Sequence, residues 1–380
     1  MDFTVAKRDL LKLVRRAQAV ADKKSTMPVL ANVLLDAHDG TVTVSGTDLF
    51  LAVQGKVTAE VRRQGSVAVP AKDLFDRISM MPEGPLHLVS ENGTSTVLRA
   101  ASSARRYTLH GVPGKEFPRL PEPLPDAPSI AISADVLSVL IARTQFSISP
   151  DDTRPNLNSA LFEQQKERVR MVTTDGHRLS KMEIPTAGDS PEASLLLPLK
   201  AVQELKRLAD EARAEAPKDA AVIIELVPSG PNAFFRVGQA TFSVKLVDAQ
   251  FPAYQQVIPS RSTQRARIPR AAFADALKAV SLAATSRTGG VRVTLAPGLL
   301  RITSESPESG DGLDEVPMEY DGPDVTIGFN AKYFQDVLSA MDDEEEVLLE
   351  FSGELDPAVL RPGSTGDHAG YLAVVMPMRI

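Results

Sequence analysis

The sequence contains no cysteine and no tryptophan, has only five histidines, and draws just 5% of its 380 residues from the aromatics. Without cysteine there can be no disulfide, no thiolate metal site and no cysteine nucleophile, and scattered histidines offer little for a metal centre. Stability must come from packing, and no cofactor is expected. No apolar run is long enough to span a bilayer, and the opening Met1-Asp2-Phe3-Thr4-Val5-Ala6-Lys7-Arg8-Asp9 meets charge before a signal-peptide core could form. No membrane association and a cytoplasmic location are therefore expected. Also missing are a Gly-rich phosphate loop and a G-x-S-x-G nucleophile elbow, the usual marks of nucleotide-binding and serine-hydrolase sites.

What is present is a chain of 43% hydrophobic content, ordinary for a folded protein and long enough for two or three domains. Its net charge of −7 opposes nonspecific phosphate binding at long range. The charges are segregated, however. Arg8, Lys12, Arg15, Arg16, Lys23 and Lys24 make the start basic, whereas Asp342-Asp343-Glu344-Glu345-Glu346 is an acidic block, read as a solvated loop before a strand.

Internal similarity organises the rest. Pro70-Ala71-Lys72-Asp73-Leu74, Pro198-Leu199-Lys200-Ala201-Val202 and Asn330-Ala331-Lys332-Tyr333-Phe334 are three copies of one segment, their lysines 128 and 132 positions apart. Val44-Ser45-Gly46-Thr47-Asp48, Met171-Val172-Thr173-Thr174-Asp175 and Leu300-Arg301-Ile302-Thr303-Ser304-Glu305 end a strand pattern alike. Each copy opens with a short strand before a helix, at Val5, Ile132 and Ile268. Linkers near Pro121–Pro125 and Ser260–Thr263 place the boundaries at 1–125, 126–258 and 259–380.

Each copy divides again into two halves, a helix and then strands. In the first helix Leu10, Leu13, Val14, Ala17 and Ala21 share one side, with Arg8, Lys12, Arg15 and Arg16 on the other. Val33-Leu34-Leu35, the turn His38-Asp39-Gly40 and the alternating Thr41-Val42-Thr43-Val44 predict a hairpin. Further strands are expected at Ala221–Leu226 and Val347–Phe351. The fold class is α+β: three tandem domains, each with two helices packed on antiparallel sheets. Such an arc with matching ends closes most simply as a twofold head-to-tail dimer.

Along its whole length the sequence resembles the bacterial sliding clamp family, the DNA polymerase III beta subunits. The resemblance is carried by Thr174-Asp175-Gly176-His177-Arg178-Leu179, by Lys245-Leu246-Val247-Asp248 with Phe251-Pro252-Ala253-Tyr254, and by Tyr371-Leu372-Ala373-Val374-Val375-Met376-Pro377-Met378-Arg379-Ile380. It implies a homodimeric ring of DNA-clamp domains around double-stranded DNA, its hole lined by about twelve helices. It also implies a non-catalytic processivity role. The polymerase alpha subunit, the clamp loader, and other polymerases and repair proteins would bind through short hydrophobic motifs.

Position by position, the family's partner-peptide pocket falls on Leu157, Thr174, Gly176, His177, Arg178 and Leu179. Pro252, Val257, Tyr333 and Leu355 join them, and Val374, Val375, Met376, Pro377, Met378, Arg379 and Ile380 complete it. Apolar walls and pliable methionines suit a short hydrophobic peptide and several partners. Thr288 and Gln256 depart from the family's frequent rim residues, which bears on peptide preference. The ring joint would set Tyr107 and Leu109, on an edge strand, against Leu282 and Ala283. Nonspecific phosphate contacts would come from Lys24 and Arg154 on loops, and from Arg8, Lys12, Arg15, Arg16, Lys72, Lys200, Arg207 and Lys332 on helices.

Two other readings remain open on the residues alone. Asp175 and His177 could serve a hydrolase as an acid/base pair, or form only a strand-end turn. A repeat scaffold without DNA would share the periodicity but would not slide off linear DNA.

Overall fold

The computed structural model describes residues 1–186, 190–284, 289–307, 310–366 and 369–379. These residues form two compact units, one of 1–134 with 211–246 and one of 135–210 with 247–380. Among them run six α-helices: α1 (Lys7–Val20), α2 (Ala71–Met80), α3 (Ala134–Thr144), α4 (Leu199–Glu215), α5 (Arg270–Val280) and α6 (Ala331–Ala340). The three expected strand-to-helix openings occur at Asp2–Ala6, Ile130–Ser133 and Gln264–Pro269, and each repeated lysine lies at the second position of its helix.

In the first unit a five-stranded sheet runs in the order Glu60–Arg63, Asp2–Ala6, Pro85–Ser90, Ser95–Ala100, Arg106–His110. A nine-stranded antiparallel sheet lies beside it in the same unit. Helix α1 buries Leu10, Leu13, Val14 and Ala17, a spacing that keeps one face on strands Thr41–Thr47 and Leu51–Thr58. Close approach requires glycine at 46, where a Cβ would fall 2.4 Å from the Ala17 carbonyl oxygen. The hairpin at Asp39-Gly40 forms as read, both residues having positive φ (46° and 73°), as a tight two-residue turn of this hand demands.

The second unit holds an eight-stranded sheet and a four-stranded sheet. The former runs Ala193–Pro198, Ser159–Gln165, Arg168–Thr174, Arg178–Pro185, Leu372–Val375, Ala358–Pro362, Glu346–Phe351, Gln264–Pro269. Helices α5 and α6 pack through Phe273 and Phe334, centroids 5.7 Å apart, with Phe329 edge-on to Phe334 at 4.7 Å.

The small sheets of the repeats do not remain separate. Leu51–Thr58 pairs with Ala240–Lys245, and Arg178–Pro185 pairs with Leu372–Val375. Strands far apart in sequence thereby satisfy each other's edge hydrogen bonds, and the repeats are stitched together across their linkers. The acidic block also differs from expectation. Asp343 pairs with the buried Arg143 at 2.6 Å, and Glu344 is itself buried, so only part of the block is solvated.

Candidate functional site

The turn Thr174–Arg178 is built by its own side chains. The Thr174 hydroxyl donates to the Arg178 carbonyl at 2.7 Å and accepts from the Gly176 N–H at 3.1 Å. One Asp175 carboxylate oxygen accepts the backbone N–H groups of His177 and Arg178 at 2.9 and 3.0 Å, and the other meets Arg178 Nε at 3.0 Å. Gly176 stands at φ +93°, open only to glycine without strain. Asp175 is thus engaged by backbone and guanidinium, while the His177 ring stacks on Tyr333 at 6.3 Å. That arrangement is the strand-end turn, not an acid/base pair.

The same turn occurs once before. Thr47 bonds the Leu51 carbonyl at 2.8 Å and the Leu49 N–H at 2.9 Å, and Asp48 accepts from Phe50 and Leu51 at 2.9 and 2.6 Å. The copies part company on the sheet face that follows. Beyond the second turn, cross-strand register sets Thr174, Leu179, Val374 and Val359 in one row, and Leu161, Val172, Lys181 and Leu372 in the next. Val172, Leu179, Val359, Leu372 and Val374 are buried together with Tyr254, and Leu161, Phe251 and Ile258 pack on them. The corresponding cross-strand rows beyond the first turn are Thr47, Ala52, Ser243 and Phe234, and Leu34, Ser45, Gln54 and Thr241. Where the second copy has Leu179, Val374 and Val172, the first has Ala52, Ser243 and Ser45, so its floor is smaller and more polar there.

Register also shows why distant residues meet. The start of Ser159–Gln165, the end of Arg168–Thr174, the start of Arg178–Pro185, the end of Leu372–Val375 and the start of Ala358–Pro362 lie at one end of the eight-stranded sheet. Leu157 and Leu355, in the turns leading into two of these strands, therefore sit at the same end as the Thr174–Arg178 turn. The chain end is fixed there too. Met376 N–H donates to the His177 carbonyl at 2.9 Å and Met378 N–H to Gly328 at 2.8 Å. Met376 and Arg379 are exposed and Pro377 and Met378 half-buried, so the strand stops at Val375 and the tail lies on the surface. Ile380 and Thr288 lie outside the described residues.

Two assignments change. Val375 pairs with Arg178, one position along from the Leu179–Val374 pair, so both point to the opposite face of the sheet. Val375 is core. Arg178 is a brace: besides Asp175, it reaches Asp336 of α6 at 2.6 Å and the Phe146 carbonyl at 2.6 Å, with Tyr333 4.7 Å from its guanidinium carbon. Burial, and next the Asp175 charge, push the Tyr333 phenol above its ordinary value.

On α1, Arg16 is only 6% exposed and its Nε donates to Glu211 at 2.9 Å, so it does not project with its neighbours as the helical wheel suggested. Lys12 is held by Glu215 at 2.5 Å. Lys72 and Lys332 pair with Asp76 and Asp336, Arg207 with Glu204, and Arg154 with Asp151. Arg8, Arg15 and Lys24 are exposed with no carboxylate in ion-pair range among the described residues, and Lys200 is also exposed. At the expected ring joint, Leu109 is 2% exposed because strand alternation turns it into its own core, and Ala283, in the 3-10 turn Ser281–Ala283 after α5, is 6% exposed. Leu282, 82% exposed, and the half-buried Tyr107 are left at the surface.

Three tandem α+β units, with one apolar sheet end framed by a turn and the chain's tail, define a clamp-type repeat protein. Residues 1–121, 131–253 and 255–379 match, in order, the N-terminal, central and C-terminal domains of the DNA polymerase III beta subunit. The beta sliding clamp of Pseudomonas putida is 31% identical and that of Escherichia coli K12 30% identical, each covered completely by a complete match of this chain. Among solved structures, the Pseudomonas aeruginosa sliding clamp with ligand superposes with a TM-score of 0.91 at 31% identity, both chains fully covered. The same species' clamp bound to griselimycin gives 0.90 at 30% identity, again over all of both chains. The chain belongs to the DNA polymerase III beta subunit family, the beta sliding clamps, which are non-catalytic processivity factors.

Proposed function

We propose that this chain dimerises head to tail into a ring of six domains around duplex DNA and tethers the replicative polymerase and other replication and repair proteins to it. The domains are taken as 1–125, 126–258 and 259–380. Partners would dock a short hydrophobic peptide against the apolar rows at the end of the eight-stranded sheet, between the Thr174–Arg178 turn, Pro252, Val257 and the Met376–Arg379 tail. The observation that carries this reading is the contrast between the two turns, since only the second opens onto Leu179, Val374 and Val172.

For the ring joint, Arg106–His110 and Gly310–Pro317 are both sheet edges with unpaired backbone on one side. Arg105 and Arg106 mark the first, and Asp311, Asp314 and Glu315 the second, so opposite charges would meet on pairing. Exposed Leu282 follows α5, which packs on the second edge strand. Weak phosphate contacts from Arg8, Arg15, Lys24 and Lys200 suit a ring that must slide, because tight base contacts would arrest it. DNA replication would place the protein in the cytoplasm.

The test is topological. Loaded by a clamp loader onto nicked circular DNA, the protein should co-elute with the circle through gel filtration and be released when the circle is cut once. Retention that ignores linearisation would refute encirclement.

A further inference from the structure

The apolar rows are flanked on the same sheet face by a charged one. Glu163, Arg170 and Glu183 are direct cross-strand neighbours, with Arg170 Nε 3.3 Å from Glu163 and 3.5 Å from Glu183. Neither contact has hydrogen-bond geometry, and Arg170 Nε and one Glu183 oxygen are buried without a hydrogen-bond partner in the structure. The bond that Arg170 does make runs upward: its Nη1 donates to the Tyr254 hydroxyl at 2.9 Å. Tyr254 is 3% exposed, its ring joined to Val172, Leu179 and Val374 and set edge-on to Phe251 at 6.3 Å. It also organises the backbone above it, with Tyr254 N–H bonded to Pro252 O at 2.7 Å and Val257 N–H to Tyr254 O at 3.1 Å. Ala253, Gln255, Gln256 and Val257 are exposed, so Tyr254 is the buried anchor of this stretch, helped at its ends by Phe251 and Ile258.

We infer that Tyr254 is a positioning residue for the peptide pocket: its ring, and its hydroxyl bound to Arg170, clasp the 251–258 segment to the sheet so that Pro252 and Val257 stand preformed as one wall. This inference rests on the pocket proposed above. A ligand that needs one arrangement of the wall binds more weakly in proportion to the time the wall spends elsewhere. Arg170 suits the task because a guanidinium is a charged donor, and a charged donor makes the stronger hydrogen bond.

The test uses the full chain with Tyr254→Phe, which keeps the ring, and Arg170→Met, which removes the donor. Amide exchange is read at Val257 and, as control, at Leu179 in the strand beneath. The expected result is faster exchange at Val257 with Leu179 unchanged, and about fivefold weaker binding of a fluorophore-tagged leucine- and phenylalanine-rich pentapeptide. The Tyr254 hydroxyl also donates to Glu163 at 3.5 Å, so the double variant should lose no more than Tyr254→Phe alone. Equal acceleration at both amides, or none at either, would overturn the clasp and leave Tyr254 an ordinary core residue. Should the wild-type chain bind no such peptide, the proposed pocket falls, while the exchange comparison, which needs no peptide, still decides the clasp.

Discussion

Replacing Arg178 with methionine removes a buried guanidinium that now joins Asp175, Asp336 and the Phe146 carbonyl. Deleting one partner of a buried, hydrogen-bonded ion pair costs about 3–5 kcal/mol, because the other charge is left desolvated. Here neither carboxylate is wholly abandoned. Asp336 keeps Lys332 at 3.1 Å, and Asp175 keeps two backbone N–H groups. Methionine also refills most of the volume beneath Tyr333, so the low end applies, about 3 kcal/mol. For a body of this size that corresponds to a fall of roughly 6–12 °C in the unfolding midpoint. Scanning calorimetry of the wild type, Arg178→Met, Asp336→Asn and the double variant measures both the loss and the coupling. The double variant should be less unstable than the two single losses summed, since each charge is the other's principal liability. A midpoint for Arg178→Met within a degree of wild type would refute the brace.

Charge reversal at Arg8 and Arg15 should shorten retention on circular DNA without altering the unfolding midpoint. Arg16→Glu should instead destabilise the first unit, because it sets a carboxylate beside Glu211; calorimetry and the retention assay separate the two. Leu282→Asp should yield monomers by light scattering while leaving the circular dichroism spectrum intact, and a dimer of undiminished strength would remove this residue from the joint. Burial raises the phenols of Tyr254, Tyr320, Tyr333 and Tyr371 above the ordinary value near 10.0. The unfolded chain therefore loses these protons first, so the stability they lend is complete below pH 10 and declines as pH rises beyond it. Denaturant midpoints between pH 8 and pH 11 should fall only over the upper part of that range.

Much of this protein is legible without a structure because its signals are local. The turn at Thr174–Arg178 needs only a hydroxyl followed by a carboxylate, and it recurs at Thr47–Leu51, where Leu49 takes the place of Gly176 at φ 76°. Helix α2 begins where Pro70 ends a strand, and α6 where the Asn330 side chain caps the Lys332 N–H. The period of the repeat and the family signatures in the turn and tail likewise follow from order along the chain. The apolar rows are partly visible in the sequence, since Val172 and Thr174 alternate as one face of a strand must. Their partner Val359 carries no local sign, because only the cross-strand register brings it there.

What tertiary structure alone decided are pairings between residues remote in sequence. Arg16 looks like a solvent-facing cation on a helical wheel, and is buried only because Glu211 arrives from 195 positions away. Val374 faces the apolar rows and Val375 the opposite core face because a register with Arg178–Lys181 assigns alternate residues to opposite faces, and a one-residue slip would exchange them. Tyr254 and Arg170 stand 84 positions apart and carry no joint pattern. Sequence specifies the hydrogen bonds a segment can make with itself; which edge strands find each other, and which charges they trap, is settled only when the sheets close.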